Sequence, residues 1–234
     1  ELSQHSSGLI LDPIYSYPIS SHKAANTGIL LRITTLNDEV DPLALPVLIP
    51  NWNVEDIANN YSLAKLEFYY HPQEAKALEK KQLVAEIFDY CDYLDINLLL
   101  KLNIYNPQTE KVQNYAFEEA QLQAVQEFRG MTNILALQDP QSALAAATLT
   151  AELDVPWILS LATGDYQDLK QSLRVCLENG ASGYLGGQSL WSEVQSYKQE
   201  DQTPDWTKIN QFIETTVQDR VIELSRITDE HSED

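Results

Sequence analysis

The sequence predicts an α/β protein in which helices cover a parallel sheet. Three observations support this fold class. Short apolar segments recur along the 234 residues, and most lack the polar–apolar alternation of a sheet with one face in water. Segments with apolar residues at spacings of three and four, typical of helices, separate them. Several apolar segments end just before a proline, which stops regular structure.

The predicted strands are spaced so that a helix fits between most neighbours. Pro13, Pro72, Pro107 and Pro140 each follow a strand and end it, because proline cannot donate a hydrogen bond to the sheet. The segments predicted as strands are residues 8–12, 28–34, 63–69, 97–105, 133–137, 156–161 and 183–186.

Helices are predicted wherever apolar residues recur with helical spacing. Asn53 is a favourable N-cap for the first helix, and Gly180 stops the fifth. The three prolines between residues 35 and 53 exclude a regular helix there. The segments predicted as helices are residues 54–59, 73–94, 117–128, 142–153, 165–179, 189–196 and 207–226.

Seven predicted strands are one fewer than a TIM (β/α)₈ barrel contains. An open doubly wound sheet is the alternative architecture. No strand is followed by the Gly-x-Gly-x-x-Gly fingerprint or by a P-loop, which disfavours a dinucleotide or nucleotide fold. We therefore predict a barrel domain over residues 1–228, incomplete at its N-terminus, followed by an acidic tail over residues 229–234.

The chain is strongly acidic, with 15 basic and 35 acidic residues and a net charge of −20. Such a charge disfavours nucleic acid and anionic membrane surfaces, because both need basic residues to neutralise phosphates. No apolar run approaches 18 residues, so no membrane insertion is predicted. Cys91 and Cys176 lie in apolar helical patterns, which favours reduced thiols and a cytoplasmic location. The chain begins at Glu1 and its only methionine is Met131, so we expect that an N-terminal piece is missing.

Two segments near the C-terminus carry a more specific pattern. They read Pro156-Trp-Ile-Leu-Ser-Leu and Gly180-Ala-Ser-Gly-Tyr-Leu-Gly-Gly-Gln-Ser-Leu-Trp191. The pattern resembles the last two strand–helix units of the class I tagatose-1,6-bisphosphate aldolases and of the related sulfofructose-phosphate aldolases. Residues 8–13, 45–52, 64–70 and 98–105 resemble upstream segments of these families. The resemblance implies a (β/α)₈ barrel whose first strand lies before Glu1 or is absent.

The resemblance also implies Schiff-base chemistry, in which a lysine amine bonds the substrate carbonyl and withdraws electrons during C–C cleavage. Ala136 stands where the family has this lysine, and Gln138 stands where it has a glutamate. Lys101 replaces a second strand glutamate, whereas Lys65 matches a retained lysine. At these matched positions, therefore, this sequence has lost the nucleophile.

The phosphate-holding segments of the family have changed as well. The serine–glycine turn after the sixth predicted strand is replaced here by residues 161–163, with Gly164 one residue later. Gly186 and Gly187 remain, but the arginine that follows them in the family is Gln188. Glutamine keeps a donor and loses both the charge and the bidentate fork. The resemblance therefore implies Gly164, Gly186, Gly187 and Gln188 as a weakened phosphate site.

Lys65, Lys101 and Asp12 are the remaining candidates for catalysis. A lysine inside an apolar strand needs a partner or a shifted pKa. Lys65 and Lys101 are therefore either relocated Schiff-base amines or members of structural ion pairs with an interior carboxylate such as Glu67 or Asp12. Asp12 ends a strand, where barrel enzymes carry catalytic groups, but it also precedes Pro13 and fits a turn.

These observations favour a non-catalytic, aldolase-like barrel that acts as a binding, regulatory or assembly protein, which makes it a pseudoenzyme. The alternative is an active lyase that cleaves a phosphorylated ketose with Lys65 or Lys101. The expected partners are a protein or a second copy of the chain, and a weakly bound sugar phosphate. We expect no cofactor, and the scattered histidines have no metal-ligand spacing.

Overall fold

The computed structural model describes residues 2–35, 41–107, 116–161 and 164–232. Its sheet has seven parallel strands, and each strand pairs with the next one along the chain. This consecutive order confirms the barrel-type α/β prediction and excludes a doubly wound sheet. The strands are β1 (Gly8–Leu11), β2 (Gly28–Arg32), β3 (Leu63–Tyr70), β4 (Leu98–Ile104), β5 (Ile134–Leu137), β6 (Trp157–Ser160) and β7 (Tyr184–Leu185).

Helices alternate with strands from β3 onwards. They are α1 (Val54–Asn59), α2 (Ala77–Tyr93), α3 (Phe117–Phe128), α4 (Ala143–Glu152), α5 (Tyr166–Glu178), α6 (Trp206–Phe212) and α7 (Gln218–Ser232). Short 3₁₀ helices cover Leu2–His5, Tyr17–His22, Gln188–Leu190 and Ser192–Ser196. A π-helical turn, Ile213–Val217, joins α6 to α7.

Three predicted helices differ from the structure. The segment predicted to begin at residue 73 becomes helical only at Ala77, because a turn after Pro72 brings Glu74 into a buried ion pair. The segment 189–196 is two 3₁₀ turns, since Trp191 between them has an extended φ of −141°. The last helix includes Asp229, so the helix extends into the predicted tail.

The described sheet is open between its first and last strands. Within the described residues β1 pairs only with β2, and β7 pairs only with β6. Helix α7 reaches both edges: Ser225 Oγ donates to the carbonyl of His5 at 2.7 Å and lies 3.5 Å from the Tyr184 hydroxyl. The sheet is therefore an incomplete barrel of seven strands.

The two faces of the strands have different roles. On β3, Leu66, Phe68 and Tyr70 point outward, and the rings of Phe68 and Tyr70 pack edge-to-face on Phe128 of α3. Residues of the opposite parity, Lys65 and Glu67, point into the barrel. The apolar core thus lies between sheet and helices, and the interior of the barrel is left for charged groups.

Cys91 and Cys176 are unpaired and buried in this core, as predicted. Burial raises the pKa of both thiols to about 12, so they stay protonated at neutral pH.

No helix in the part of the chain that the structure describes is long and apolar enough to cross a membrane.

Candidate functional site in the barrel interior

Strands β3 and β4 bring the two candidate lysines into one cluster. The pairing of these strands places Glu67 beside Lys101 and Lys65 beside Leu99. Lys65, Glu67, Lys101 and Asn103 have inward parity, so their side chains meet inside the barrel. The sequence therefore predicted the shared face of Lys65 and Glu67, and the strand register adds Lys101 to it.

Glu67 holds both lysines. One carboxylate oxygen accepts a hydrogen bond from Lys65, and the other accepts from Lys101 at 2.8 Å and from the Asn103 amide at 3.1 Å. The side chains of Lys65 and Glu67 are only 5% and 8% exposed, and that of Lys101 is 18% exposed. A carboxylate therefore lies between the two amines and occupies both.

Burial and ion pairing act in opposite directions on these groups. Burial lowers the pKa of Lys65, and the attraction of Glu67 opposes that shift. Burial alone would raise the pKa of Glu67, but Lys65 and Lys101 together lower it to about 2. Glu67 is consequently ionised at neutral pH, and its negative charge favours the protonated, non-nucleophilic form of Lys65.

Ala136 lies beside Lys101 in the next strand, β5, and is fully buried. The sequence resemblance predicts that this position corresponds to the family's Schiff-base lysine. A methyl group cannot bond a carbonyl carbon, so covalent chemistry would have to come from Lys65 or Lys101.

Asp12 forms a turn and a long ionic contact. Its Oδ1 accepts hydrogen bonds from the backbone N–H groups of Ile14 and Tyr15 at 2.8 and 3.0 Å. Its Oδ2 lies 3.7 Å from Nη1 of Arg32, which is beyond hydrogen-bond range. The carboxylate therefore caps the turn after β1, as one of the two sequence interpretations predicted, and it contacts Arg32 rather than Lys65.

A second buried ion pair lies where β3 and β4 end. The side chains of Lys80 on α2 and Glu74 are both completely buried, with Nζ 2.7 Å from the carboxylate. Lys80 also donates to the carbonyls of Tyr69 at 2.8 Å and Pro42 at 2.7 Å, and the Tyr105 hydroxyl donates to Glu74. These contacts attach the loop around Pro42 to the carboxyl ends of the strands.

The predicted phosphate site lies on the loops after β6 and β7. These loops are neighbours, because Leu161 N–H donates to the Leu185 carbonyl at 3.1 Å. Gly164, Gly186 and Gln188 are exposed, and Gly187 is partly exposed. Residues 162 and 163, part of the predicted turn, lie outside the described residues.

The glycines of this region differ in what surrounds them. A Cβ on Gly186 would lie 2.7 Å from Leu190 Cδ1, so close packing favours glycine there. Nothing lies within 4 Å of a Cβ placed on Gly164 or Gly187. Packing therefore does not require glycine at either of these two positions.

Among the described residues no group of three or more His, Cys, Asp or Glu side chains could hold a metal ion.

Comparison with known proteins supports the aldolase resemblance. No family model matches the chain. The tagatose 1,6-diphosphate aldolase of Staphylococcus aureus strain MSSA476 is 23% identical over 247 aligned positions, which cover 91% of this chain and 76% of that enzyme. The chain therefore resembles the tagatose 1,6-diphosphate aldolases at a low level of sequence identity.

Solved aldolase structures share the fold of this chain. An archaeal fructose 1,6-bisphosphate aldolase has a TM-score of 0.69 at 14% identity, with 97% of this chain and 81% of that chain covered. A fructose-bisphosphate aldolase from Slackia heliotrinireducens has a TM-score of 0.65 at 12% identity, covering 96% and 75%. At these identities the similarity shows the fold alone.

Sequence reasoning missed Arg32, Asn103 and the Lys80–Glu74 pair. Arg32 could have been found by the criterion applied to Lys65, because it is a charged residue inside an apolar strand and its β-pairing partner is Lys65. Asn103 alternates with Lys101 along β4 and could have been assigned to the same face. The Lys80–Glu74 pair has no such signal, since both residues lie in a segment that reads as an ordinary polar helix surface.

Proposed function

We propose that this aldolase-like protein is a non-catalytic binding protein that uses the barrel interior without forming a covalent bond to its ligand. The observation that carries the proposal is the bridging of Lys65 and Lys101 by Glu67, combined with Ala136 at the position of the family's Schiff-base lysine. A cytoplasmic location belongs to the proposal, and the unpaired buried cysteines support it.

A Schiff base needs an unprotonated amine with free space in front of it. Lys65 is almost completely buried, and its amine is hydrogen-bonded to an ionised carboxylate. Lys101 is more exposed, but its amine lies 2.8 Å from the same carboxylate. Attack on a substrate carbonyl by either amine would therefore first require the loss of an ion pair with Glu67.

Reductive trapping tests this proposal. The protein is incubated at pH 7 with tagatose 1,6-bisphosphate, fructose 1,6-bisphosphate or dihydroxyacetone phosphate, treated with borohydride, and measured by intact mass spectrometry. We expect no adduct. The archaeal fructose 1,6-bisphosphate aldolase, solved with its catalytic lysine covalently bound to an intermediate, is the positive control.

An adduct on the wild-type protein that disappears in Lys65→Met or Lys101→Met would overturn the proposal and support the alternative, an active lyase. Lys170→Met is the matched control variant, because Lys170 forms an ion pair with Glu223 on the outside of the barrel. An adduct that persists in all three variants would assign the reactivity to another lysine and would contradict the proposal that the protein binds its ligand without a covalent bond.

One observation favours assembly as a second function. Leu43, Leu45, Val47 and Leu48 are all at least 39% exposed, within a loop that Lys80 holds at the carboxyl ends of the strands. Contiguous exposed apolar side chains mark interaction surfaces. If a second copy binds this loop, light scattering will show a dimer for the wild-type protein and a monomer for the Leu43→Ser/Val47→Ser variant.

A further inference from the structure

The charges that line the first four strands of the barrel do not balance. Among the described residues, Arg32, Lys65 and Lys101 point inward from β2, β3 and β4, against the carboxylates of Glu67 and Asp12. This part of the interior therefore carries one excess positive charge, in a chain whose net charge is −20. An acidic protein that concentrates cations in its interior offers an attractive site for an anion.

The excess arises because Glu67 carries one negative charge against both Lys65 and Lys101, and the cation that is only loosely paired is Arg32. Glu67 cannot neutralise it, because both oxygens of that carboxylate are occupied by Lys65, Lys101 and Asn103. Asp12 neutralises it poorly, since its Oδ1 caps the turn and its Oδ2 remains 3.7 Å from the guanidinium. Repulsion from Arg32 and Lys101 also contributes to the lowered pKa of Lys65, so the three cations are close enough to interact.

The guanidinium also has unused hydrogen-bonding capacity. Nη2 of Arg32 donates to the carbonyl of Thr34 at 3.2 Å. Within the part of the chain that the structure describes, Nε is buried and has no hydrogen-bond partner. A buried donor without a partner is unfavourable, and a planar oxyanion can accept from two guanidinium N–H groups at once. The side chain as a whole is 17% exposed, so it is not sealed from solvent.

We infer that Arg32 forms a binding site for a small oxyanion, either a carboxylate or a phosphate group, at the β1–β2 side of the barrel interior. The site lies on the first two strands, whereas the predicted phosphate loops with Gly186 and Gln188 follow the last two. The inference rests on the proposed function, because it gives the non-catalytic barrel a ligand class. Binding involves ion pairing and hydrogen bonds only.

Anion titration tests the site. Thermal unfolding is followed while sodium sulfate, sodium phosphate or sodium D-glycerate replaces sodium chloride at constant ionic strength. A ligand that binds only the folded state raises Tm with a concentration dependence set by its dissociation constant. We expect a saturable rise with at least one of these anions, and the three arms distinguish a phosphate-like ligand from a carboxylate.

Arg32→Met should weaken the apparent affinity at least tenfold, which is the effect of losing a charge-assisted hydrogen bond. Arg129→Met is the control and should leave the affinity unchanged, since Arg129 pairs with Glu152 on the outer surface. Asp12→Asn keeps the turn-capping oxygen and removes the competing charge, so it should strengthen binding several-fold. This variant provides the test if Arg32→Met does not fold.

No saturable response, or equal responses in the wild type and Arg32→Met, would overturn the inference. Unchanged affinity in Asp12→Asn would overturn it as well. The outcome is separable from that of the proposed function. A borohydride adduct, together with anion binding that weakens in Arg32→Met, would refute only the non-catalytic proposal. No adduct, together with equal anion affinity in the wild type and Arg32→Met, would refute only the anion site.

Discussion

Glu67 is the carboxylate that pairs with both lysines of the barrel interior. Its carboxylate accepts from Lys65, Lys101 and Asn103, so each of its oxygens is used. Removing one partner of a buried ion pair is costly because the other charge stays buried without compensation. Here one substitution would leave two ammonium groups in that state.

Glu67→Gln is therefore expected to lower the free energy of unfolding by about 3 kcal/mol at pH 7, measured by urea denaturation. Glu86→Gln, an exposed change in the middle of α2, is the control and should change it by less than about 0.5 kcal/mol. Equal effects of the two substitutions would show that the Glu67 ion pairs contribute nothing to stability.

The effect of Glu67→Gln on stability should also depend on pH. Lys65 and Lys101 lower the pKa of Glu67 in the folded protein to about 2, below its value of about 4.3 in an unfolded chain. A group with a lowered folded-state pKa stabilises above the unfolded value, and this contribution is lost as the pH falls toward the folded value. The difference in free energy of unfolding between wild type and Glu67→Gln should therefore decrease as the pH falls from about 4.5 to about 2. A difference that stays constant across this range would contradict the assigned pKa.

The Lys80–Glu74 pair acts at the scale of elements, because it joins helix α2, the end of strand β3 and the loop at Pro42. Lys80→Met should leave Glu74 buried without its partner and cost about 3 kcal/mol. Hydrogen exchange in residues 41–49 should accelerate more than exchange in β5. The double variant Glu74→Gln/Lys80→Met should recover part of the lost stability, and failure to recover any would mean that the charges are not coupled.

Helix α1 depends on its first residue. Asn53 accepts from the backbone N–H of Asp56 at 3.1 Å, and the Asp56 carboxylate accepts from the N–H of Asn53 at 2.9 Å. We expect Asn53→Ala to lower the free energy of unfolding by about 1 kcal/mol in urea denaturation. Asn59→Ala, at the exposed end of the same helix, should change it by less than half as much. The reverse order would show that the cap does not stabilise the helix.

At the scale of the whole molecule, self-repulsion is the dominant charge effect. A net charge of −20 disfavours the compact state, and salt screens this repulsion over about 8 Å at 0.15 M. Raising sodium chloride from 0.01 to 0.15 M should therefore raise Tm by a few degrees, measured by calorimetry. Potassium chloride should act equally, because the effect is screening. A fall in Tm would mean that favourable ion pairs outweigh the repulsion.

The architecture and its elements were determined by the sequence alone. Apolar strands separated by amphipathic helices leave a parallel sheet as the arrangement that buries both. The prolines end strands locally, so boundaries such as those of β4 and α3 were predicted to within a residue. The sequence resemblance also matches Ala136 to the Schiff-base lysine, and this assignment stays a prediction.

Only the tertiary structure decided how the interior charges pair. Strand register places Lys101 beside Glu67, and register depends on the pairing of segments far apart in the chain. The same holds for Arg32, whose contact with Asp12 follows from the pairing of β1 with β2. Parity along one strand is a local property, so the sequence predicted the shared face of Lys65 and Glu67. The partners across strands are non-local, and for that reason the bridging carboxylate and the loosely paired arginine became visible only in the folded barrel.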